Sequence, residues 1–306
     1  QDRQDCLSPH VRNGTVLATA QHGMTVLRRI VLVIVVIVLL WFAYRALAVY
    51  RFRNGCDARD ADKGPPSHDG LPAQTRPLVV MTYNIAGHDE LIDGAHIQKI
   101  AAVIRAVKPD IVGLQEVHRK TWQSRFRDQA KELQAATGLN LFFGPSFSEA
   151  GGGFGNAILT RGDILSAAVH PLPVKGEPRS MIESVVRIDG VTLNIYVTHL
   201  SAWGKLAAHS RGQQLSCLAT HIRNSPHPYL LLGDFNAPPD RDEIQAFRKL
   251  DAAQICGEDI GITLPSLHER IDYIWSDPGW RVVSTEVVKS GPSDHYPVVA
   301  QLFWRR

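Results

Sequence analysis

Cysteine is scarce in this chain of 306 residues: there are four, Cys6, Cys56, Cys217 and Cys256, with no CxxC pair and no zinc-ligand spacing. Neither a disulfide framework nor a structural metal site is therefore expected. Cys217, set among Leu215, Leu218 and Ile222, reads as a small buried hydrophobe. Internal repeats and low-complexity segments are also absent, which removes repeat architectures from consideration. Basic charge is in short supply where a nucleic-acid grip would need it. The formal net charge of +3 belongs to the first 77 residues, with 10 Lys/Arg against 6 Asp/Glu, whereas from Leu78 onward 23 face 24. Non-specific nucleic-acid binding draws most of its affinity from a basic face, so this neutrality weighs against bulk DNA binding. Arg119, Lys120, Arg125, Arg127 and Lys131 do fall close together, and read as a solvated helix face.

Charge is also missing between Arg29 and Arg51, where Arg45 is the one charged residue and Ile30 to Tyr44 reads IVLVIVVIVLLWFAY. A bilayer-crossing helix needs roughly 20 apolar residues, a length that 30–50 reaches if Arg45 snorkels to the interface. Trp41, Tyr44 and Tyr50 suit the interfacial belt. The rival reading is a cleaved signal peptide starting at Met24, with Arg28 and Arg29 as its charged region and Ala46-Leu47-Ala48 as the cleavage signal. The anchor is preferred because the apolar run is longer than a usual signal core. Arg53 and Asn54 argue against a lipid-modified Cys56. Positive charge flanks the run on both sides, so the positive-inside rule pulls both ways; an exported catalytic domain is the expectation, with the cytoplasmic side left open. The organisation is thus a non-structural extension over 1–23, a membrane anchor or signal segment over 24–53, a Gly-, Pro- and Asp-rich flexible linker over 54–77, and a globular domain over 78–306.

The hydrophobic fraction of 44% suffices for a substantial core in that domain. It opens β-α-β: an apolar run at Leu78 to Asn84, helical spacing from His96 to Val107, and a buried strand from Pro109 to Val117. A second helix is expected over Trp122 to Thr137. Strands follow at Asn140 to Phe143, Asn156 to Thr160, Ile164 to Val169 and Met181 to Ile188, the last turning through Asp189-Gly190 into Val191 to Val197. Leu206 to Ile222 is helical, Tyr229 to Leu232 a strand, and three more apolar runs begin at Ile271, Val282 and Tyr296. Two helix-bearing halves with several strands each suggest an α/β (α+β) domain of two sheets packed face to face with helices outside.

Five polar strings each follow or interrupt an apolar strand: Tyr83-Asn84, Leu114-Gln115-Glu116-Val117, Gly233-Asp234-Phe235-Asn236-Ala237, Arg270-Ile271-Asp272-Tyr273 and Ser293-Asp294-His295. Carboxylates and amides at strand ends suit a hard, oxygen-preferring ion such as Mg2+, with Mn2+ as the substitute. In this order the strings resemble the endonuclease/exonuclease/phosphatase family, along essentially the whole of 78–303. The resemblance implies a four-layer α/β/β/α sandwich of the deoxyribonuclease I-like type and metal-dependent hydrolysis of phosphate esters. It makes Glu116 the main metal ligand, with Asn84 and Asp294 at the metal end. Asp234 then orients or activates the attacking water, Asn236 binds phosphate oxygens, and His295 contacts the phosphate with Asp272 as the carboxylate that keeps it protonated. His199 resembles the second histidine of the deoxyribonuclease and sphingomyelinase branches, stabilising the phosphate or protonating the leaving oxygen.

Three further features are weaker. Gly151-Gly152-Gly153-Phe154-Gly155 lacks the Lys-Ser/Thr ending of a phosphate loop and is expected to be a mobile loop. Asn156 and Arg179 are candidates for the substrate phosphate, Arg161 is as readily structural, and His209, Arg211 and Gln214 are expected to cap or face solvent. Ala86 stands where abasic-site endonucleases have an acidic residue, which disfavours DNA repair. What remains is a membrane-anchored phosphodiesterase acting on lipid headgroups, an exported nuclease, or a catalytically silent binding module on the same fold. No protein partner is implied.

Overall fold

The computed structural model describes residues 28–41, 43, 56, 71–72, 74–149, 151–202, 205–250, 253–289 and 291–304. The chain divides into two units, Gln1–Ala48 and Val49–Arg306. In the first, residues 28–41 and 43 are helical, and the apolar side chains from Ile30 to Trp41 are exposed. Among the described residues no helix is long and apolar enough to cross a membrane. The remainder of the expected 30–50 span, with Tyr44, Arg45 and Tyr50, lies outside the described residues, as do 1–23 and Ala46-Leu47-Ala48.

The second unit carries two six-stranded mixed sheets. Its first half runs β1 (Leu78–Asn84), α1 (His96–Val107), β2 (Ile111–Arg119), α2 (Gln129–Thr137), β3 (Asn140–Glu149) and β4 (Gly152–Thr160). The second half runs β5 (Asp163–Leu172), β6 (Arg179–Ile188), β7 (Val191–His199), α3 (Lys205–Arg223), β8 (Tyr229–Asp234), α4 (Asp242–Arg248), β9 (Gln254–Ile255) and β10 (Asp272–Ser276). The chain then returns to the first sheet with β11 (Trp280–Val287) and β12 (Val298–Trp304). The sheet orders are β11-β12-β1-β2-β4-β3 and β5-β6-β7-β8-β10-β9.

Side chains alternate across each strand, and the burial follows that alternation. Val80, Ile111, Ile158 and Val298 of one sheet meet Ile182, Ile195, Leu230 and Ile274 of the other in the central core. The outer faces are sealed by helices: Ile97, Ile100, Ala101 and Ile104 of α1 lie over the first sheet, and Leu215, Leu218 and Ile222 of α3 over the second. Each of these isoleucines and leucines contributes about 1.5–3 kcal/mol on burial. The expected α/β/β/α layering is therefore present.

One end of the sandwich collects the polar strings. β1 and β2 are parallel, as are β7 and β8, so their C-terminal ends point the same way within each sheet. β10 runs antiparallel to β8 and starts where β8 stops, pairing Asp272 with Asp234. β12 runs antiparallel to β1, which delivers the segment just before it, with Ser293 and His295, to the end of β1.

Several expectations need correcting. The helix expected from Trp122 starts only at Gln129, because Arg125 and Phe126 turn left-handed and the Asp128 carboxylate caps the helix by accepting from the Lys131 N–H. The glycine-rich segment is not a mobile loop: Gly152 to Gly155 are part of β4. A Cβ on Gly155 would lie 2.1 Å from the Gly144 carbonyl oxygen, so glycine here allows β3 and β4 to approach closely. Arg211 and Gln214 are buried rather than solvated, Arg211 donating to Ser201 O and Ala202 O and pairing with Glu243, and Gln214 bridging Ser201 and Pro173.

Cysteine spacing misled as well, since Cys56 and Cys217 form a disulfide. A bond between residues 161 positions apart leaves no local pattern to read. Within the stretch expected as linker, Leu71 packs against the central core and Arg76 forms an ion pair with Asp110.

Candidate active site

Glu116 and Asp234 face each other across the two sheets with Asn84 between them. Asn84 Nδ2 donates to Glu116 Oε1 at 3.1 Å and to Asp234 Oδ2 at 3.0 Å, while its Oδ1 accepts the Ala86 N–H. Its amide thus aligns both carboxylates. Glu116 sits in the left-handed region (φ 57°) where the β2–β4 pairing slips between Leu114 and Val117. A non-glycine residue in that conformation is strained, and here the strain aims a carboxylate out of the strand end. Gly233 brings β8 close against β7, for a Cβ there would lie 2.3 Å from Thr198 O, and this sets Asp234 opposite His199. Asn236, also left-handed (φ 50°), donates its N–H to Asp234 Oδ1 and its Nδ2 to Leu200 O.

Two buried histidines flank Asp234 in opposite electrostatic settings. His295 Nδ1 is 2.9 Å from Asp272 Oδ2, and its Nε2 is 3.9 Å from Asp234 Oδ2. Burial by itself would discharge the ring. The charge and hydrogen bond of Asp272, with Asp234 and Asp294 nearby, more than reverse that and raise the pKa to about 10. His199 Nδ1 is 3.2 Å from Arg179 Nη1, and its Nε2 is 3.5 Å from Asp234 Oδ2. A guanidinium offers no acceptor, so Nδ1 accepts and the proton sits on Nε2. Burial and then the Arg179 charge hold the His199 pKa well below the usual histidine range, leaving the ring neutral.

Asp234 is pushed up to about 7, by burial first and the Asp272 charge second. Glu116 behaves oppositely: burial opposes ionisation, but the hydrogen bonds from His88 and from the Asn84 amide hold its carboxyl well below the usual carboxylate range. His88, with Nδ1 3.4 Å from Glu116 Oε2, was not singled out by sequence. The available signal was its place just after Asn84, in the 3-10 helix Gly87–Leu91.

All ten expected residues are described, and the geometry sorts them. Asn84, Glu116, His199, Asp234, Asp272 and His295 converge, with Asn236 beside them, its N–H on Asp234 Oδ1 and its Nδ2 on Leu200 O. Asp294 is exposed beside this group, close enough to influence both His88 and His295. Arg179 is buried on His199 and Glu177, and Asn156 is buried with Nδ2 on Ser180 O and Oδ1 without a partner. Arg161 is structural, paired with Asp110 and Asp189. The donors at the Glu116 end, Glu116 and Asp294, are carboxylate oxygens, and Asp272 Oδ1 is buried without a hydrogen-bond partner. A set of oxygen donors of this kind fits a hard divalent ion and no thiolate-preferring one.

The sequence model of the Endonuclease/Exonuclease/phosphatase family matches residues 81–295. Among solved structures, the endonuclease/exonuclease/phosphatase of Beutenbergia cavernae is 28% identical, with a TM-score of 0.64 over 75% of this chain and 72% of that one. The mannosyl-6-phosphatase of Bacteroides thetaiotaomicron is 22% identical (TM-score 0.63; 74% of this chain, 100% of that one). The human Nocturnin catalytic domain with bound sulfate is 22% identical (TM-score 0.62; 75% and 95%). These last two likenesses speak for the fold alone. No curated protein matches the chain. With the family match spanning every converging residue named above, the chain belongs to the endonuclease/exonuclease/phosphatase family of hydrolytic phosphoesterases.

Proposed function

We propose that the protein is a Mg2+-dependent phosphodiesterase, able to use Mn2+, held at a membrane through residues 30–50 with its catalytic domain exported. The observation that most supports this is one carboxylate, Asp234, flanked by a charged His295 and a neutral His199. Groups whose surroundings push their pKa values apart divide acid and base work between them.

Glu116, with Asp294 beside it, would hold the Mg2+, which when bound would supply positive charge to offset that of the phosphate. Asp234, with its pKa near neutrality, takes a proton from the attacking water. The His295 imidazolium donates to the phosphoryl oxygens as charge develops, and Asp272 keeps it charged and fixes its ring. His199 donates from Nε2 but is no acid, because giving up that proton would leave an imidazolate. Of its two expected roles, stabilising the phosphate is therefore the one retained. Arg179 acts through His199 by setting its tautomer.

The Cys56–Cys217 disulfide supports an exported domain, since such bonds persist in oxidising compartments. Anchoring beside a bilayer raises the effective concentration of lipid headgroups, and the neutral charge of the domain disfavours nucleic acid. The test is hydrolysis by the full chain in detergent with Mg2+, side by side on sphingomyelin vesicles, phosphoinositide vesicles and supercoiled DNA, with His295→Ala as control. Cleavage of a lipid headgroup, lost in the variant, supports the reading. Cleavage of DNA alone replaces it with an exported nuclease, and silence on all three replaces it with a binding module.

A further inference from the structure

A second cluster of metal-binding side chains takes no part in the chemistry above. His170 on β5, Glu183 on β6 and His221 near the end of α3 bring their ligand atoms within 4.8 Å of one another. His170 Nε2 is 2.8 Å and His221 Nδ1 3.6 Å from the same oxygen, Glu183 Oε2. We propose that these three side chains form a second metal site, which takes Zn2+ with solvent completing a tetrahedral shell.

The cluster is arranged as ligands are. Glu183 Oε1 faces the Asn194 amide at 3.3 Å and the Tyr196 hydroxyl at 3.4 Å, which fixes the carboxylate and leaves Oε2 turned to the two imidazoles. Outer partners of this kind orient ligands in metal sites. Despite its short distance to Glu183, His170 Nε2 makes no directed hydrogen bond, and His221 turns its Nδ1 to the same oxygen from a side chain only 8% exposed. A cation shared by His170 Nε2, His221 Nδ1 and Glu183 Oε2 would satisfy the three facing atoms at once. Two imidazoles and one carboxylate suit Zn2+, whereas Mg2+ prefers oxygen alone.

Position separates this cluster from the catalytic centre. On β7, Leu193, Ile195 and Val197 face the central core and Tyr196 faces the helix layer. By the same alternation His199 belongs to the core-facing set and Glu183, bonded to Tyr196, to the opposite face of the sheet. The site would tie β5, an edge strand, through β6 to α3, the helix that carries the Cys56–Cys217 disulfide.

The test is equilibrium dialysis of the full chain in detergent against Zn2+ under excess Mg2+, in a Glu116→Gln background that weakens the catalytic site. Reductant is left out, because the sulfurs of Cys56 and Cys217 are within ligand distance of His221 and would add thiolates once freed. One equivalent of Zn2+ per chain is expected, together with a Zn2+-dependent rise in melting temperature. His170→Gln and Glu183→Gln should each weaken binding by roughly tenfold or more and abolish the rise. His170 is partly exposed on an edge strand, so its variant folds and carries the test by itself. Unchanged Zn2+ stoichiometry and affinity in His170→Gln, or no Zn2+ bound by the parent, would overturn the proposal.

Discussion

Replacing Asp272 by asparagine removes one negative charge from beside His295 and keeps the side chain's size. In the wild type His295 is raised from an ordinary 6.5 to about 10 against the opposing effect of its burial. That difference corresponds to stabilisation of the imidazolium on the order of 5 kcal/mol. With Asp272 neutral, burial remains, and Asp234 and Asp294 are the weaker acidic influences left, so the pKa falls to the ordinary value or below. At about pH 7.5 the imidazolium then drops from nearly complete to roughly one-tenth, and turnover falls at least about tenfold. Asp272 also helps to raise Asp234, so both limbs of the pH–rate profile move to the acid side and the variant recovers part of its activity as pH is lowered. The sign for stability agrees: a raised histidine contributes stability in full below about 6.5, and loses it as pH rises through about 10. The assay is a pH–rate profile on bis-p-nitrophenyl phosphate, with the His295 imidazole titrated by NMR in the metal-free protein. An Asp272→Asn variant whose His295 still titrates near 10, or whose alkaline limb has not moved, refutes the reasoning.

Other perturbations separate catalysis from folding. Glu116→Gln should raise the Mg2+ concentration needed for half-maximal activity by roughly tenfold or more, measured by metal titration after chelation. Asp110→Asn should cost about 1–3 kcal/mol in urea denaturation without slowing turnover, because the carboxylate receives Arg76, Arg161 and the Val79 N–H far from the reacting end. Burial opposes its ionisation, but the Arg76 hydrogen bond and its companions win and lower the pKa. The advantage over asparagine is therefore present above about 4 and fades as pH falls through the lowered value. Cys56→Ser should lower stability by about 2–5 kcal/mol, read as a fall in melting temperature under non-reducing conditions.

Legibility in the sequence followed the range of the interaction. α1 stood out because Ile97, Ile100 and Ile104 repeat at helical spacing and nothing interrupts them, whereas the Trp122–Asp128 segment has acceptable helical spacing and is stopped by left-handed residues that any composition conceals. The motif residues at strand ends were visible because each polar string breaks an apolar run. Their pairing, Asn84 with Asp234 across 150 positions, came from the family's order and not from spacing. Contacts with neither local pattern nor motif went unread: Cys56 with Cys217, Arg179 against His199, and His88 against Glu116. Gly155 misled for a related reason, since glycine signals a loop unless one knows that Gly144 O lies where its Cβ would be.

The central claim is that metal-assisted attack depends on Asp234 and the charged His295, and the most direct measurement is hydrolysis of bis-p-nitrophenyl phosphate by the full chain, stripped of metal and then given Mg2+. The account predicts no turnover in the stripped protein, recovery on Mg2+ addition, and a loss of roughly a hundredfold or more in both Asp234→Asn and His295→Ala at a temperature where each variant is still folded. Turnover in either variant equal to that of the wild type, or undiminished turnover after stripping, would contradict it.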